Sequence, residues 1–198
     1  MAFVRESVVT TLDDGGRPHL APLGVIEEPP LLTLAPFAPS RTLAHLRARP
    51  HACVSYVADV RVFAGCVTGR RRDWPVVPAV RIPGFRLACA LAHEELEVVE
   101  RIEDPQRPRF RCRVVHAAQH APFRGFNRAR HAVIEGAILI SRLHLLPLAE
   151  IREAFARLEP LIAKTAGEAE REAWRWLVER LADCARAQGV EAADGRSR

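Results

Sequence analysis

The chain has 198 residues, of which 48% are hydrophobic and 27% are charged, and its formal net charge is +5. This composition excludes an intrinsically disordered chain and is typical of a globular protein. No apolar run approaches the roughly 20 residues of a membrane span, and residues 1–6 lack the layout of a signal peptide, so a cytoplasmic protein is expected.

The five cysteines are widely spaced and include no C-x-x-C pair. This spacing argues against a structural zinc site and provides no disulfide framework. We expect the cysteines to be small buried hydrophobic side chains. They are Cys53, Cys66, Cys89, Cys112 and Cys184.

The chain is predicted to begin with a β-hairpin. Residues 4–12 are rich in β-branched side chains, the sequence DDGG at 13–16 favours a turn, and residues 17–26 resume an extended pattern. Pro18 and Pro22 lie inside the second arm. Because proline cannot donate a hydrogen bond to a sheet, this arm is predicted to be an edge or irregular strand.

A strand predicted at residues 31–34 leads into a proline-bounded loop, which is followed by a short helical pattern. The loop brings Ser40, Arg41 and Thr42 together at the start of that helix. The first N–H groups of a helix lack helical partners and lie at the positive end of its dipole, so a phosphate there gains several donors. The two hydroxyls and the arginine fork suit phosphate oxygens as well. The simpler alternative is an ordinary helix cap, for which serine and threonine are also favoured.

Further strands are predicted along the first two thirds of the chain. Residues 52–57 are expected to form a buried strand, residues 59–68 fit either a helical turn or a strand, and the prolines in 75–84 predict an irregular segment. The remaining predicted strands are residues 85–92, 94–103 and 109–117. Six or seven strands with few long helices predict a closed or nearly closed β-barrel.

The hydrophobic pattern changes at about residue 125, and three successive amphipathic helices are predicted after it. The fold class is therefore mainly β with α, a barrel followed by a C-terminal helical segment. We expect a barrel domain at residues 1–122, a helical domain at 123–187 and a disordered tail at 188–198.

In this order the motifs resemble those of the flavin-reductase-like FMN-binding split barrels and, within them, the uncharacterised-domain family numbered 447. The segments that carry the resemblance are Glu6–Thr11, His19–Val25, Pro39–Leu43, Asp59–Ala64, Gly125–Ala129 and Ala132–Glu135. The resemblance covers residues 3–185. It implies a homodimer with FMN bound between the two barrels and the flavin phosphate held by Ser40, Arg41 and Thr42.

The resemblance implies further cofactor contacts, for which simpler interpretations stay open. They are His19, Leu20, Ala21, Pro22, Ser55, Asn127 and Arg128. Backbone groups freed by the two strand prolines could face the isoalloxazine edge, or His19 could be a surface histidine. Asn127 and Arg128 could reach the flavin from the same or the partner subunit, or could cap a helix. Ser55 departs from the family pattern, since related barrels often carry asparagine there, and so does His45.

The function implied is an FMN-binding flavoprotein, a flavin-dependent oxidoreductase acting with a small-molecule substrate or electron donor. A flavin carries its own chemistry, which fits a sequence without a Ser-His-Asp order, a Walker loop or a G-x-G-x-x-G motif. The alternatives are a non-catalytic flavin-binding or assembly protein and, much more weakly, a nucleic-acid binder using Arg70, Arg71 and Arg72. Because the family occurs mainly in methanogenic archaea and methylotrophic bacteria, association suggests pterin-dependent one-carbon metabolism.

A metal site is considered at His116 and His120, which stand four residues apart with Cys112 nearby. On a strand, however, that spacing does not bring two imidazoles together as it would on a helix. The sequence therefore predicts no metal site.

Overall fold

The computed structural model describes residues 3–187 and residue 189. Apart from Gly189, the predicted tail at 188–198 lies outside the described residues. The strands are β1 (Phe3–Leu12), β2 (Pro18–Glu28), β3 (Leu31–Leu34), β4 (His51–Val57), β5 (Val76–Pro78), β6 (Phe85–Leu87), β7 (Ala90–Ile102) and β8 (Arg109–Gln119). The helices are α1 (Arg41–Ala48), α2 (Arg61–Thr68), α3 (Arg128–Ser141), α4 (Leu148–Thr165) and α5 (Glu168–Ala187).

The residues form two compact units. The first comprises the described residues of Met1–Ala58 and Asp73–Arg124, and the second those of Asp59–Arg72 and Gly125–Arg198. The first unit contains all the strands and α1, whereas the second contains α2 together with α3, α4 and α5. Helix α2 was not expected to group with the C-terminal helices, because it lies within the predicted barrel segment.

Six of the strands form a closed antiparallel barrel in the order β1-β2-β3-β8-β7-β4, which confirms the predicted architecture. Residues 8–10 of β1 pair with residues 53–55 of β4 to close it. Where the strands are regular, alternate residues point inward, as the two-residue period of a strand requires. The barrel core consists of Val9, Val25, Leu32, Leu34, Leu43, Leu46, Ala52, Val54, Leu96, Phe110 and Cys112.

The β1–β2 hairpin has the turn that its sequence predicts. The N–H of Gly16 donates to the carbonyl of Asp13 at 2.9 Å, and Gly16 adopts a φ of 77°, a left-handed conformation that glycine tolerates well. Strand β2 pairs with β1 along its length but with β3 only at residues 25–28. Its first half, which contains both prolines, is therefore an edge, as predicted.

The prediction was wrong in the middle of the chain. Residues 75–84 are not irregular throughout, because β5 pairs with β6. The expected break between residues 92 and 94 is absent, since β7 runs continuously over 13 residues and the break falls before Ala90. The pairing of β7 with β8 shifts register between Glu95 and Leu96 and again between Val98 and Glu100. These bulges lie inside β7 and not at the predicted break, and the turn that separates β6 from β7 is at residues 88 and 89.

The helical unit packs around large apolar side chains. The rings of Phe155 and Trp174 stack with centroids 4.9 Å apart, and a Cβ added at Gly136 would lie 3.0 Å from Trp174 and 3.1 Å from Leu177. Trp174, with 5% of its surface exposed, is the buried tryptophan of α5, whereas Trp176 is only half-buried. Trp174 therefore belongs to the core face of α5.

The expectation that the cysteines are buried holds for three of the five. Cys53, Cys66 and Cys112 are buried as expected, but Cys89 is exposed and Cys184 is half-buried. Within the described residues, no helix combines the length and the apolar character that crossing a membrane would need.

Candidate functional site

The N-terminus of α1 has the features of a phosphate site. Ser40 is its N-cap, and the Ser40 Oγ accepts a hydrogen bond from the N–H of Leu43 at 3.2 Å. The cap interpretation is therefore correct for Ser40. The N–H groups of Arg41 and Thr42 still have no helical acceptor, because the helix begins at Arg41. The first turn contains no acidic residue that would repel an anion.

Arg41 and Thr42 differ in what they can offer to a ligand. The Arg41 side chain is exposed, and among residues 3–187 no carboxylate forms an ion pair with it. The Thr42 side chain is only 4% exposed. Arg41 can thus contribute its guanidinium, whereas Thr42 can contribute mainly its backbone N–H.

The loop that precedes α1 is held by the turn between β7 and β8. The N–H of Ala38 donates to the carbonyl of Gln106 at 2.9 Å, and the Arg107 Nε donates to the carbonyl of Ala35 at 3.0 Å. The turn itself is fixed by Asp104, whose carboxylate accepts from the N–H groups of Arg107 and Gln106. These hydrogen bonds lower the pKa of Asp104, since they stabilise its charged form. The loop before α1 is therefore held at Ala35 and Ala38.

The structure brings His19 to the same helix. The Thr11 Oγ1 and His45 Nδ1 lie 3.0 Å apart, and the rings of His19 and His45 meet edge to face with centroids 5.3 Å apart. His45 is four residues after Arg41, so the two side chains lie on one face of α1. Arg41, His45 and His19 thus form a strip of basic side chains beside the free N–H groups.

The four predicted contacts on β2 do not share a face. Side chains alternate along a strand, so His19 and Ala21 lie on one side and Leu20 and Pro22 on the other. Leu20 is only 9% exposed. If this segment meets a ligand, it can do so through His19 and Ala21 and through the main-chain edge that β3 leaves uncovered.

Two family models match the sequence. The one described as Protein of unknown function (DUF447) N-terminal domain matches residues 5–121, and the one described as Protein of unknown function (DUF447) matches residues 127–179. The chain belongs to the DUF447 family. The resemblance stated from the sequence motifs is confirmed.

Solved structures similar to this DUF447 protein include flavoproteins. An FMN-bound protein of the same family from Methanosarcina mazei aligns with a TM-score of 0.78 at 19% identity, over 89% of this chain and 94% of that chain. An FMN-binding protein from Thermus thermophilus with bound p-hydroxybenzaldehyde aligns with a TM-score of 0.51 at 18% identity, over 64% and 77%. The flavin reductase component of a bacterial two-component tryptophan halogenase gives 0.51 at 19% identity, over 61% and 82%.

At such identities the likeness establishes the fold, which is the predicted flavin-reductase-like barrel. The predicted cofactor, FMN, is the ligand named for the Methanosarcina mazei protein. Among curated proteins, no sequence match was found.

Two predicted contacts of the DUF447 protein, Ser55 and Asn127, have structural partners of their own. Ser55 is fully buried on β4, where its Oγ accepts from the N–H of Leu87 at 3.1 Å and so holds β6 against the barrel. Asn127 caps α3, accepting from the N–H of Arg130 at 3.1 Å and donating to the carbonyl of Thr165 at 3.0 Å. The structure does not bring Ser55 to the α1 site. Arg128, the first residue of α3, is exposed.

The sequence did not single out Glu95, a fully buried acid of the barrel unit that accepts several hydrogen bonds. Its side chain is fully buried and accepts from the N–H groups of Val80 and Arg81 at 2.6 Å and of Ile82 at 3.1 Å. Burial works to raise the pKa of this carboxyl, but the bonds from Val80, Arg81, His93 and Ile82 outweigh burial and lower the pKa. Glu95 therefore anchors the loop between β5 and β6. In the sequence Glu95 looks like the other acids of the same strand, so nothing indicates that its side chain is buried.

Proposed function

We propose that this DUF447 protein binds FMN, with the flavin phosphate at the N-terminus of α1. The observation that carries the proposal is the exposed guanidinium of Arg41, which has no ion-pair partner among the described residues and lies beside the unfilled N–H groups of α1. A helix N-terminus favours an anion, and an arginine fork can donate two hydrogen bonds to phosphate oxygens. The strip formed with His45 and His19 adds polar groups next to it.

A monophosphate suits this site better than a dinucleotide. The donors are confined to one helix turn, and the chain has no Rossmann fingerprint for an adenosine half. FMN is also the ligand named for the Methanosarcina mazei member of the family. These points favour FMN over FAD.

The class of activity that we propose is a flavin-dependent oxidoreductase with a small-molecule substrate or electron donor. When bound, FMN would supply the redox chemistry, and the protein would fix its position. Arg41 and the N–H groups of α1 would hold the phosphate, while the uncovered edge of β2 would lie along the ring system. A flavin reductase among the similar structures supports this class, and the link to pterin-dependent one-carbon metabolism rests on the family's distribution.

The cofactor is tested on the purified protein. We expect the flavin released by heat to run with FMN on chromatography, and protein prepared without flavin to take up added FMN. Release of FAD, or failure to bind added FMN, would contradict the proposal. Reduction of the bound flavin by a nicotinamide donor, followed by absorption, would support the oxidoreductase. A bound flavin that no donor reduces would favour the non-catalytic alternative.

A homodimer is part of the same proposal, with the flavin between two barrels. The first half of β2 exposes unpaired main chain, and β1 begins with Phe3 and Val4, which are 65% and 47% exposed. An uncovered strand edge and exposed apolar side chains are surfaces that a two-fold partner can cover.

Light scattering is therefore expected to give about twice the chain mass of 22.0 kDa. Val4→Lys should shift the protein toward the monomer, since it adds a charge to the proposed interface. The matched variant Val178→Lys, at a 42% exposed valine of α5, should not. If wild type is a monomer at micromolar concentration, the flavin does not bind between two subunits and the proposed homodimer is wrong.

A further inference from the structure

Three side chains with metal-binding atoms converge on β7 and β8, away from the α1 site. His93 and Glu95 are two residues apart on β7 and so share a face, and His116 of β8 pairs directly with Glu95. Leu96 points into the barrel core, so Glu95 and His93 lie on the opposite face of the strand. One ligand atom from each of the three residues lies within 4.8 Å of the other two.

The spacing within this cluster fits coordination. The His93 Nε2 and the Glu95 Oε1 are 3.2 Å apart. Two ligands of a tetrahedral Zn²⁺ with bonds of about 2.0–2.2 Å lie about 3.3–3.6 Å from each other. An ion could therefore replace the proton that His93 now shares with Glu95 without separating the two side chains. Two imidazoles and one carboxylate form the donor set of known open zinc sites.

The surroundings orient the ligands before any ion binds. The N–H groups of the β5–β6 loop fix the Glu95 carboxylate, as described above. On the other side of the ring, the His93 Nδ1 lies 2.9 Å from the His120 Nε2. With a metal on Nε2, the Nδ1–H would donate to the His120 Nε2, which takes the place of the carboxylate, carbonyl or water that usually accepts from a metal-bound histidine.

The cluster combines buried ligands, which lie away from water, with side chains that solvent can reach. Glu95 is fully buried and His93 is 2% exposed, but His116 is half-buried and His120 is exposed. The cluster thus runs from the interior to the surface of one compact unit. We propose that His93, Glu95 and His116 bind a divalent transition metal ion of the Zn²⁺ class, with His120 as the positioning residue for His93.

The alternative is that His93 and Glu95 form a purely structural pair that supports the loop. Metal binding distinguishes the two, because a structural pair takes up no ion. It also needs no flavin, so the test is independent of the proposed function.

The experiment titrates protein that has been freed of metals with EDTA and dialysed, using Zn²⁺ by calorimetry and Co²⁺ by absorption. We expect about one ion per chain at micromolar concentration and visible Co²⁺ bands typical of nitrogen and oxygen ligands. His116→Ala should weaken Zn²⁺ binding at least tenfold, and His120→Ala should weaken it about tenfold, as the loss of an outer partner does. The control His131→Ala, at an exposed histidine of α3, should bind like wild type.

The absence of Zn²⁺ binding by wild type at these concentrations would overturn the proposal, and so would equal binding by wild type and a folded His116→Ala variant. Circular dichroism in EDTA shows whether each variant is folded. If His116→Ala does not fold, the wild-type Co²⁺ spectrum decides. Bands from nitrogen and oxygen ligands support the site, whereas thiolate charge-transfer bands or no bands at all contradict it.

Discussion

Glu95→Ala is expected to lower the free energy of unfolding by about 3–5 kcal/mol, because it removes the acceptor of three N–H groups, of which that of Ile82 is buried and those of Val80 and Arg81 are partly buried. Each unsatisfied buried donor costs about 1–3 kcal/mol, and part of that cost is recovered where water enters. Urea unfolding of both proteins in EDTA measures the difference without a contribution from bound metal.

The control for this substitution lies on the same strand. Glu97 forms an ion pair with Arg113 at 2.7 Å, but its side chain is 40% exposed and that of Arg113 is 61% exposed. Glu97→Ala should therefore change the stability by less than about 1 kcal/mol. Equal losses for the two variants would show that the loop does not depend on Glu95.

The sequence predicts the barrel well where local signals agree with tertiary structure. The glycines of the turn at residues 13–16 and the prolines of β2 restrict the backbone within a few residues of themselves, so their effect can be predicted locally. The prediction fails at the start of β7, because the turn before it is made by Ala88 and Cys89, which are not typical turn residues. The two bulges inside β7 arise from pairing with β8, a strand further along the chain, so no local pattern reveals them.

The candidate site also combines features that the sequence predicts with features that it does not. Ser40, Arg41 and Thr42 were predicted from the chemistry of a helix start, and the structure places them there. The approach of His19 to His45 depends on how α1 packs on the hairpin, which the sequence does not specify. In the sequence Ser55 looks like any other polar strand residue. Its hydroxyl is buried because β6 covers it, which only the structure reveals.

The sequence argument did not find the cluster of His93, Glu95 and His116, for a related reason. The sequence argument tested a pair on one strand, His116 with His120, whereas the structure combines His116 with His93 and Glu95 of the neighbouring strand. Cys112, the third residue considered, points into the barrel core. Register between strands decides which side chains meet, and the bulge between Glu95 and Leu96 alters that register.

Arg41→Ala is expected to weaken FMN binding about ten- to a hundredfold, because it removes a charge-assisted contact worth roughly 1.5–3 kcal/mol. Its stability should change by less than about 0.5 kcal/mol, since the side chain is exposed. The control is Arg47→Ala on the same helix. Arg47 lies in the last turn and pairs with Glu103 at 2.6 Å, so its loss should leave FMN binding nearly unchanged.

The most direct test of the phosphate site compares FMN with riboflavin, which has no phosphate. Wild type and Arg41→Ala are each titrated with both ligands, and binding is followed by flavin fluorescence. The predicted result is that wild type binds FMN at least tenfold more tightly than riboflavin, and that Arg41→Ala loses most of this preference while binding riboflavin as wild type does. If wild type binds the two flavins equally, or if Arg41→Ala weakens riboflavin as much as FMN, the phosphate does not bind at the N-terminus of α1.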